Sequence, residues 1–284
     1  MDAARFAQDP GRVMTHGAPP DPEGDRYTHG HHPSVVAQHG RRSAEADAAY
    51  VLPHLRAGQR LLDVGCGPGS ITRGLARAVA PGETIGIDVS ADVLETARAL
   101  EPTLRFELGD VYALEYADAS FDVAHAHQVL QHLTRPIDAL HELRRVLRPG
   151  GIVAVRDGDY ATMIAWPRIP SRERWLGLYQ AVARRNGAEP DAGRRLPGWL
   201  REAGFTRIQT SAEAIPFTTP EAVRNWGESW AERVLHSNLA QHALQYGLAT
   251  REELNEIAEG WRIWARDPDA FFLYVNVACI GWRD

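Results

Sequence analysis

Between residues 61 and 70 the chain reads LLDVGCGPGS, an apolar run that ends in Asp63 and passes through Gly65, Gly67 and Gly69 before Ser70. Glycines at alternate positions let the backbone turn tightly and let a ligand approach main-chain atoms that a Cβ would block. The first amides of a helix opening at Ser70 would favour a negative group such as a carboxylate. A second acidic residue, Asp88, closes the run TIGID 25 positions after Asp63. In a doubly wound fold a carboxylate there accepts hydrogen bonds from both hydroxyls of a ribose. Together these residues predict a site for a nucleoside-bearing ligand. The spacing is Asp-x-Gly-x-Gly-x-Gly and not Gly-x-Gly-x-x-Gly, which argues against a dinucleotide.

Two further clusters have the residue types for chemistry. The stretch HAHQVLQHL, 125–133, places His125, His127 and His132 beside Gln128 and Gln131. A metal site needs three or four converging ligands, and neither a fourth histidine nor a cysteine lies nearby in sequence, so no metal is expected. His132 is a candidate general base, set against a local packing or capping role. In RDGDY, 156–160, Asp157 and Asp159 are candidates to accept a proton or anchor an amine, set against a turn of solvated carboxylates. Cys66, inside the glycine turn, has no base beside it and reads as a small filler.

These residues need a scaffold, and the pattern around them supplies one. Short runs rich in β-formers, RLLDV (60–64), TIGID (84–88), LRFEL (104–108), FDVAHA (121–126) and GIVAVRD (151–157), alternate with helical stretches at 70–80, 90–100 and 135–147. Strands alternating with helices of this length predict an α/β fold, a Rossmann-like doubly wound and mostly parallel seven-stranded sheet with helical lid insertions. A helix is expected over 34–55, broken near Pro53. After Asp157 the regularity fails: a helix is expected from Ser171 to Arg185, another from Leu196 to Ala203 ending at Gly204, and a strand near 206–211. A long helical segment, 219–266, carries a capping box at Thr250 and Glu253, and the last strand is FFLYVNVACIGW, 271–282. Trp166, Trp175, Trp226 and Trp230 are candidates to wall a pocket for a planar acceptor, against the commoner role of a helical tryptophan in core.

The expected organisation is a flexible arm over 1–33, a core over 34–212 with a lid insertion at 158–195, and a helical lid with the last core strand over 213–284. Composition narrows the function. With 44% hydrophobic and 24% charged residues and no apolar run near about 18 residues, the chain is expected to be a globular protein without a membrane span. The N-terminus lacks the basic start and apolar stretch of a secretory signal, so cytoplasmic residence is the default. A net charge of −6 argues against a nucleic-acid partner. All 31 basic residues are arginine, which excludes a lysine Schiff base, a P-loop lysine and a lysine general base. The two cysteines, Cys66 and Cys279, provide neither a disulfide framework nor a Cys-x-x-Cys pair.

On the residues 61–70 together with GIDVS (86–90), GDVYAL (109–114) and RRVLRPGG (144–151), the chain resembles the class I S-adenosylmethionine-dependent methyltransferases, in particular their ubiquinone/menaquinone-biosynthesis-like subfamily. The resemblance covers roughly 34–212. It implies S-adenosyl-L-methionine as cofactor and S-adenosyl-L-homocysteine as product. It also implies that Asp63 and the backbone of Gly65, Gly67 and Gly69 hold the methionine end, Asp88 and Val89 the ribose, and Asp110 with Val111 the adenine. His127 and Gln128 would border the cofactor, and Tyr27, in the arm stretch YTHGHHPS, would belong to a flap closing over it. The expected partner is a small-molecule acceptor, methylated on carbon, oxygen or nitrogen, with the protein a monomer or homodimer. A cyclase-like enzyme of the same fold without net methyl transfer and a non-catalytic cofactor-binding regulator remain as alternatives. An arsenite-type transfer is disfavoured, because its thiolate relay needs more than two cysteines.

Overall fold

The computed structural model describes Asp25, Thr28, Gly40 and residues 42–284. The expected arm, Tyr27 included, otherwise lies outside the described residues, as does the start of the helix expected from residue 34. Seven strands form one sheet in the order β3-β2-β1-β4-β5-β7-β6. Strands β1 (Leu61–Val64), β2 (Thr84–Asp88), β3 (Arg105–Leu108), β4 (Phe121–His127) and β5 (Leu147–Trp166) run parallel, while β7 (Phe271–Trp282) runs antiparallel between β5 and β6 (Arg207–Phe217). All four β1 residues are buried, as a central strand covered on both faces must be. Their neighbours in sequence, helices α2 (Ser70–Val79), α3 (Ala91–Leu100) and α4 (Pro136–Val146), supply that cover. Ile71, Leu75 and Val79 of α2 face one side of the sheet, and Leu140, Leu143 and Val146 of α4 the other. The parallel half therefore directs the carboxyl ends of β1, β2, β4 and β5, with Asp63, Asp88, His127 and Asp157, toward one rim.

Two differences from the sequence pattern shape that rim. The helix expected over 34–55 is, among the described residues, only a single turn, α1 (Ala44–Asp47), and a 3-10 turn at Leu52–His54. Strand β5 does not stop at Asp157 but continues to Trp166, pairing Asp159 with Val275 and Trp166 with Phe271 across a register irregularity between 159 and 164. The polar, glycine-containing stretch after Asp157 hides this extension. It forms because β7, twelve residues long, offers backbone partners on both edges; β6 lengthens to Phe217 for the same reason.

The helices after β5 pack on this extended part of the sheet. They are α5 (Pro170–Arg185), α6 (Leu196–Glu202), α7 (Pro220–His236), α8 (Asn238–Gln245) and α9 (Arg251–Arg266). The segment expected as one long helix is thus three. It breaks at Ser237, whose hydroxyl caps α8 by accepting from Leu239 N, and again at Gly247. The capping box at Thr250 and Glu253 starts α9 as the spacing predicts. The tryptophans pack mainly on one another: the ring centroid of Trp175 lies 4.3 Å from that of Trp230 and 5.0 Å from that of Trp261. Trp175, Trp226 and Trp230 are core, whereas Trp166 is more than half exposed. Helix α9 is pinned to the end of β5 by Trp264, whose indole Nε1 donates to the carbonyl of Trp166 at 2.8 Å. Trp264→Phe keeps most of the apolar area and strands that carbonyl, so urea unfolding should show a loss of about 1–2 kcal/mol; an unchanged midpoint would mean that the bond contributes nothing.

Candidate functional site

The glycine turn after β1 sits on a small apolar base. Cys66, Leu94, Ala97 and Phe106 form one buried cluster under it. A Cβ at Gly65 (φ +63°) would meet Val129 Cγ2 at 2.4 Å, so the turn packs closely against the loop after β4. At Gly67 (φ +55°) the situation is opposite: a Cβ there would meet nothing within 4 Å. Gly65 is small for packing, while Gly67 keeps an open surface above its backbone. Asp88 stands beside that surface, half-buried. Its Oδ2 accepts from Gly67 N and its Oδ1 from Ser90 N, each at 3.0 Å. A carboxylate oxygen has capacity for a second donor, so both remain able to receive hydroxyls. Val89 and Leu108, at the ends of β2 and β3, are 72% and 65% exposed and present apolar surface on the same rim. Asp110 Oδ1 accepts from Tyr112 N at 2.9 Å, which fixes the 110–112 turn, and Val111 is buried beneath it. An open glycine backbone, a carboxylate with spare acceptor capacity and an apolar shelf fit a cationic nucleoside such as S-adenosylmethionine.

Asp63 is held by the protein on both sides of its carboxylate. Its side chain is 2% exposed, its Oδ1 lies 2.7 Å from His125 Nδ1 on the neighbouring strand, and its Oδ2 accepts from Thr72 Oγ1 at 2.6 Å. Strand register puts Asp63 opposite His125 on one face of the sheet. Both carboxylate oxygens are thus engaged inside the protein, and Asp63 braces the end of β1 against β4 and α2. Cys66 is a filler: burial, with Asp63 and Asp88 nearby, raises its thiol far above the ordinary range.

The histidine- and glutamine-rich stretch splits by position. His125 and His127 occupy β4 and are buried. Gln128 follows with φ +53°, a left-handed conformation uncommon for a side chain of this size, and such strain collects at functional sites. The Gln128 amide donates to the carbonyl of Arg156 at 2.6 Å, and its Oε1 accepts from the Arg42 guanidinium. Gln131 and His132 lie in a 3-10 turn, Leu130–His132. Gln131 N donates to Asp157 Oδ1 at 3.2 Å, Gln131 Oε1 accepts from Gly158 N at 3.2 Å, and Gln131 Nε2 lies 3.0 Å from His132 Nε2. Burial, and secondarily the charge of Arg42, push the His132 pKa down to about 3.

Neither aspartate of β5 is a solvated turn carboxylate. Asp157 is fully buried; its Oδ2 has no hydrogen-bond partner among the described residues, and burial, opposed by the bond from Gln131, raises its pKa to about 8. Asp159 is held by both Oδ atoms to Arg194, at 2.6 Å each, and so is committed to an ion pair. The residue facing Gly158 across the sheet, Asn276, is buried with its Oδ1 likewise unpartnered among the described residues. Along the rim Gln131 is bonded to His132, Asp157 and Gly158, Gln128 to Arg42 and the backbone of β5, and Asp88 to the glycine turn, while Asp63 and Asp159 lie inside the framework. Two described arm residues dock near it. Asp25 Oδ1 accepts from the amide and hydroxyl of Thr134 at 2.7 Å, and buried Thr28 accepts from Asn186 Nδ2 at 2.9 Å.

Arg42, Gln131 and Arg194 were not legible as site residues. Nothing marks Arg42 or Arg194 among 31 arginines, and the role of Gln131 depends on an amide of β5 that sequence places 27 residues away.

Comparison with known proteins adds to this geometry. Residues 62–155 match a family model described as a methyltransferase domain. The chain is 35% identical to an uncharacterised methyltransferase of Schizosaccharomyces pombe, over 88% of this chain and 94% of that protein. It is also 35% identical to a 27-O-demethylrifamycin SV methyltransferase of Amycolatopsis mediterranei, over 55% of this chain and 64% of that protein. Among solved structures, the YcgJ protein of Bacillus subtilis superposes with a TM-score of 0.56 at 19% identity, covering 84% of this chain and 99% of that one, a likeness of fold.

Proposed function

The chain belongs to the class I S-adenosylmethionine-dependent methyltransferases, and from that premise we propose that it transfers the methyl group to a small-molecule acceptor held at the rim between β4, β5 and the helical layer. The observation that carries this reading is the open surface above Gly67 beside Asp88, continuous along the sheet rim with the polar turn at Gln131 and His132. Bound there, the cofactor supplies a sulfonium-activated methyl, so the protein's task is alignment more than activation. In this reading Asp88 receives the ribose hydroxyls with Val89 beside it, Asp110 and Val111 border the adenine, and the backbone of Gly65, Gly67 and Gly69 carries the methionine end. His127 and Gln128 flank the reacting side, and His132 faces the acceptor. The acceptor class takes support from the Amycolatopsis relative, whose name gives 27-O-demethylrifamycin SV as what it methylates. No described helix is long and apolar enough to cross a membrane, so a dissolved acceptor is the simplest supply.

The test uses the full chain with methyl-labelled S-adenosylmethionine and a cell extract separated into small-molecule, nucleic-acid and protein fractions. Label in the small-molecule fraction, with equal release of S-adenosylhomocysteine, is the expected result. Label confined to the protein or nucleic-acid fraction would overturn the acceptor class. A product formed without S-adenosylhomocysteine would favour chemistry without net methyl transfer.

A further inference from the structure

A sheet edge carries a row of unpaired amides and carbonyls and invites another strand unless something blocks it. Most of the open backbone of this sheet is blocked. Edge strand β3 is four residues long and carries the ion-paired Arg105 and Glu107. The stretch of β5 that outruns β4 is fastened by its own chain: the amides of Tyr160 and Ala161 donate to Pro190 O and Asp191 Oδ1, at 3.1 and 2.8 Å, and Trp264 takes the carbonyl of Trp166. The other edge, β6, lacks such protection. It runs eleven residues and pairs with β7 without a register shift, so no bulge turns it away. Its single proline, Pro216, stands near its end. Of its two charged residues, Arg207 lies over the ring of Trp282 and Glu213 is held at 2.7 Å by the buried Arg156. Every residue from Gln209 to Ala214 is exposed, and in a strand that leaves both faces open as well as the edge. The direction of the free groups follows from β7. Val275 N donates to Thr162 Oγ1 and Arg283 N to Gly151 O, so the odd-numbered residues of β7 turn their backbone to β5 and the even-numbered ones to β6. Val275, Val277, Cys279 and Gly281 lie opposite Ala214, Ala212, Thr210 and Ile208. These four residues of β6 therefore point N–H and C=O away from the sheet, and those groups have no hydrogen-bond partner among the described residues.

We propose that β6 is the interface of a homodimer, in which two copies of this chain pair their β6 strands antiparallel about a two-fold axis at Ala212 and form one continuous sheet. The strand is complementary to itself in that register. Ala212 meets its own copy, Thr210 meets the partner's Ala214, and Ile208 meets the partner's Pro216, so each outward amide finds a carbonyl. Pro216, which has no N–H, falls at the end of the ladder, where its cost is least. At the alternate positions the hydroxyl of Ser211 stands opposite the carboxylate of the partner's Glu213, a donor against an acceptor. Moving the axis to Glu213 would set that carboxylate against its own copy, and like charges directly opposite are unfavourable. Pairing consumes the open edge of each copy while β3 stays blocked, so the assembly closes at two and does not grow. A strand of another protein would bond the same backbone groups; the self-complementary register and the closure favour a second copy of this chain.

Sedimentation equilibrium of the full chain is expected to give twice the 31.4 kDa chain mass. A single-chain mass at the highest soluble concentration would overturn the proposal. Two double variants on exposed side chains then test the register. Thr210→Arg with Ala214→Arg sets arginine against arginine across the axis and should raise the dimer dissociation constant about tenfold or more. Thr210→Arg with Ala214→Glu sets opposite charges there and should keep the dimer. Equal dissociation constants in the two would place the interface elsewhere. Cross-linking supplies a further arm that does not depend on those variants. Ala212→Cys should join two copies through a disulfide on treatment with a mild thiol oxidant, since the axis brings position 212 against itself, whereas Gln209→Cys, which faces the partner's Ile215, should not. The native Cys66 and Cys279 are buried and do not compete. Cross-linking at 209 and not at 212, or at neither in a chain of dimer mass, would overturn the pairing.

Discussion

Asp88→Ala is expected to weaken S-adenosylmethionine binding by about a hundredfold or more, measured by calorimetry on the folded variant. Hydrogen bonds to a charged acceptor contribute about 1.5–3 kcal/mol each, and the substitution removes the carboxylate that the proposed reading gives to both ribose hydroxyls. It also releases the amides of Gly67 and Ser90, which Asp88 holds at 3.0 Å and which orient the glycine turn. Those amides lie at a half-buried site where water can replace the carboxylate, so the fold should survive, as a far-ultraviolet spectrum would register. Asp88→Asn separates the two contributions: it keeps one acceptor oxygen, loses the charge, and should cost about tenfold. Binding undiminished in Asp88→Ala would remove this residue from the cofactor site.

The second large effect concerns stability and not binding. Asp157 has a pKa raised to about 8 in the folded protein, against about 3.9 in an unfolded chain. The native state therefore keeps a proton that the unfolded state has already released. Stability is full below about pH 4 and declines as pH rises toward 8. Asp157→Asn is neutral throughout and still offers Oδ1 to the Gln131 amide. Wild type and variant should unfold at similar urea concentrations near pH 4, and by pH 8 the variant should be the more stable by about 2–4 kcal/mol. Parallel stability curves across that range would show that Asp157 is ionised, and so paired, at neutral pH. Why the protein keeps a carboxyl here is answered by its position: it anchors the turn that carries Gln131 and His132, and the same turn is fastened to β5 by Gly158.

The parallel half of the fold was readable from residues because each of its strands is a short buried run bounded by a turn signal. LLDV, TIGID and FDVAHAH became β1, β2 and β4 within a residue of the pattern, and the helices between them kept their apolar stripes. The extension of β5 was not readable, since RDGDYATM carries no alternation of its own and pairs only because β7 lies beside it. The three-helix break in 219–266 was missed for a related reason: the period of apolar residues continues through Ser237, while the cap geometry that interrupts it is local. Motif spacing also does not show that the carboxylate of Asp63 turns inward to a histidine contributed by another strand.

The amino-acid sequence by itself determined the glycine turn, the acidic residue one strand later and the alternation of strands and helices, because these depend on backbone conformation and burial patterns that are local. It also excluded lysine chemistry outright. Only the tertiary structure decided what the polar side chains are able to do. Gln131 turns its Nε2 to His132 because its Oε1 is taken by an amide on a neighbouring strand. Asp159 is a free carboxylate or half of an ion pair according to where Arg194 falls. Proton affinity and hydrogen-bond direction depend on burial and on partners distant in sequence, so they become defined when the sheet is assembled.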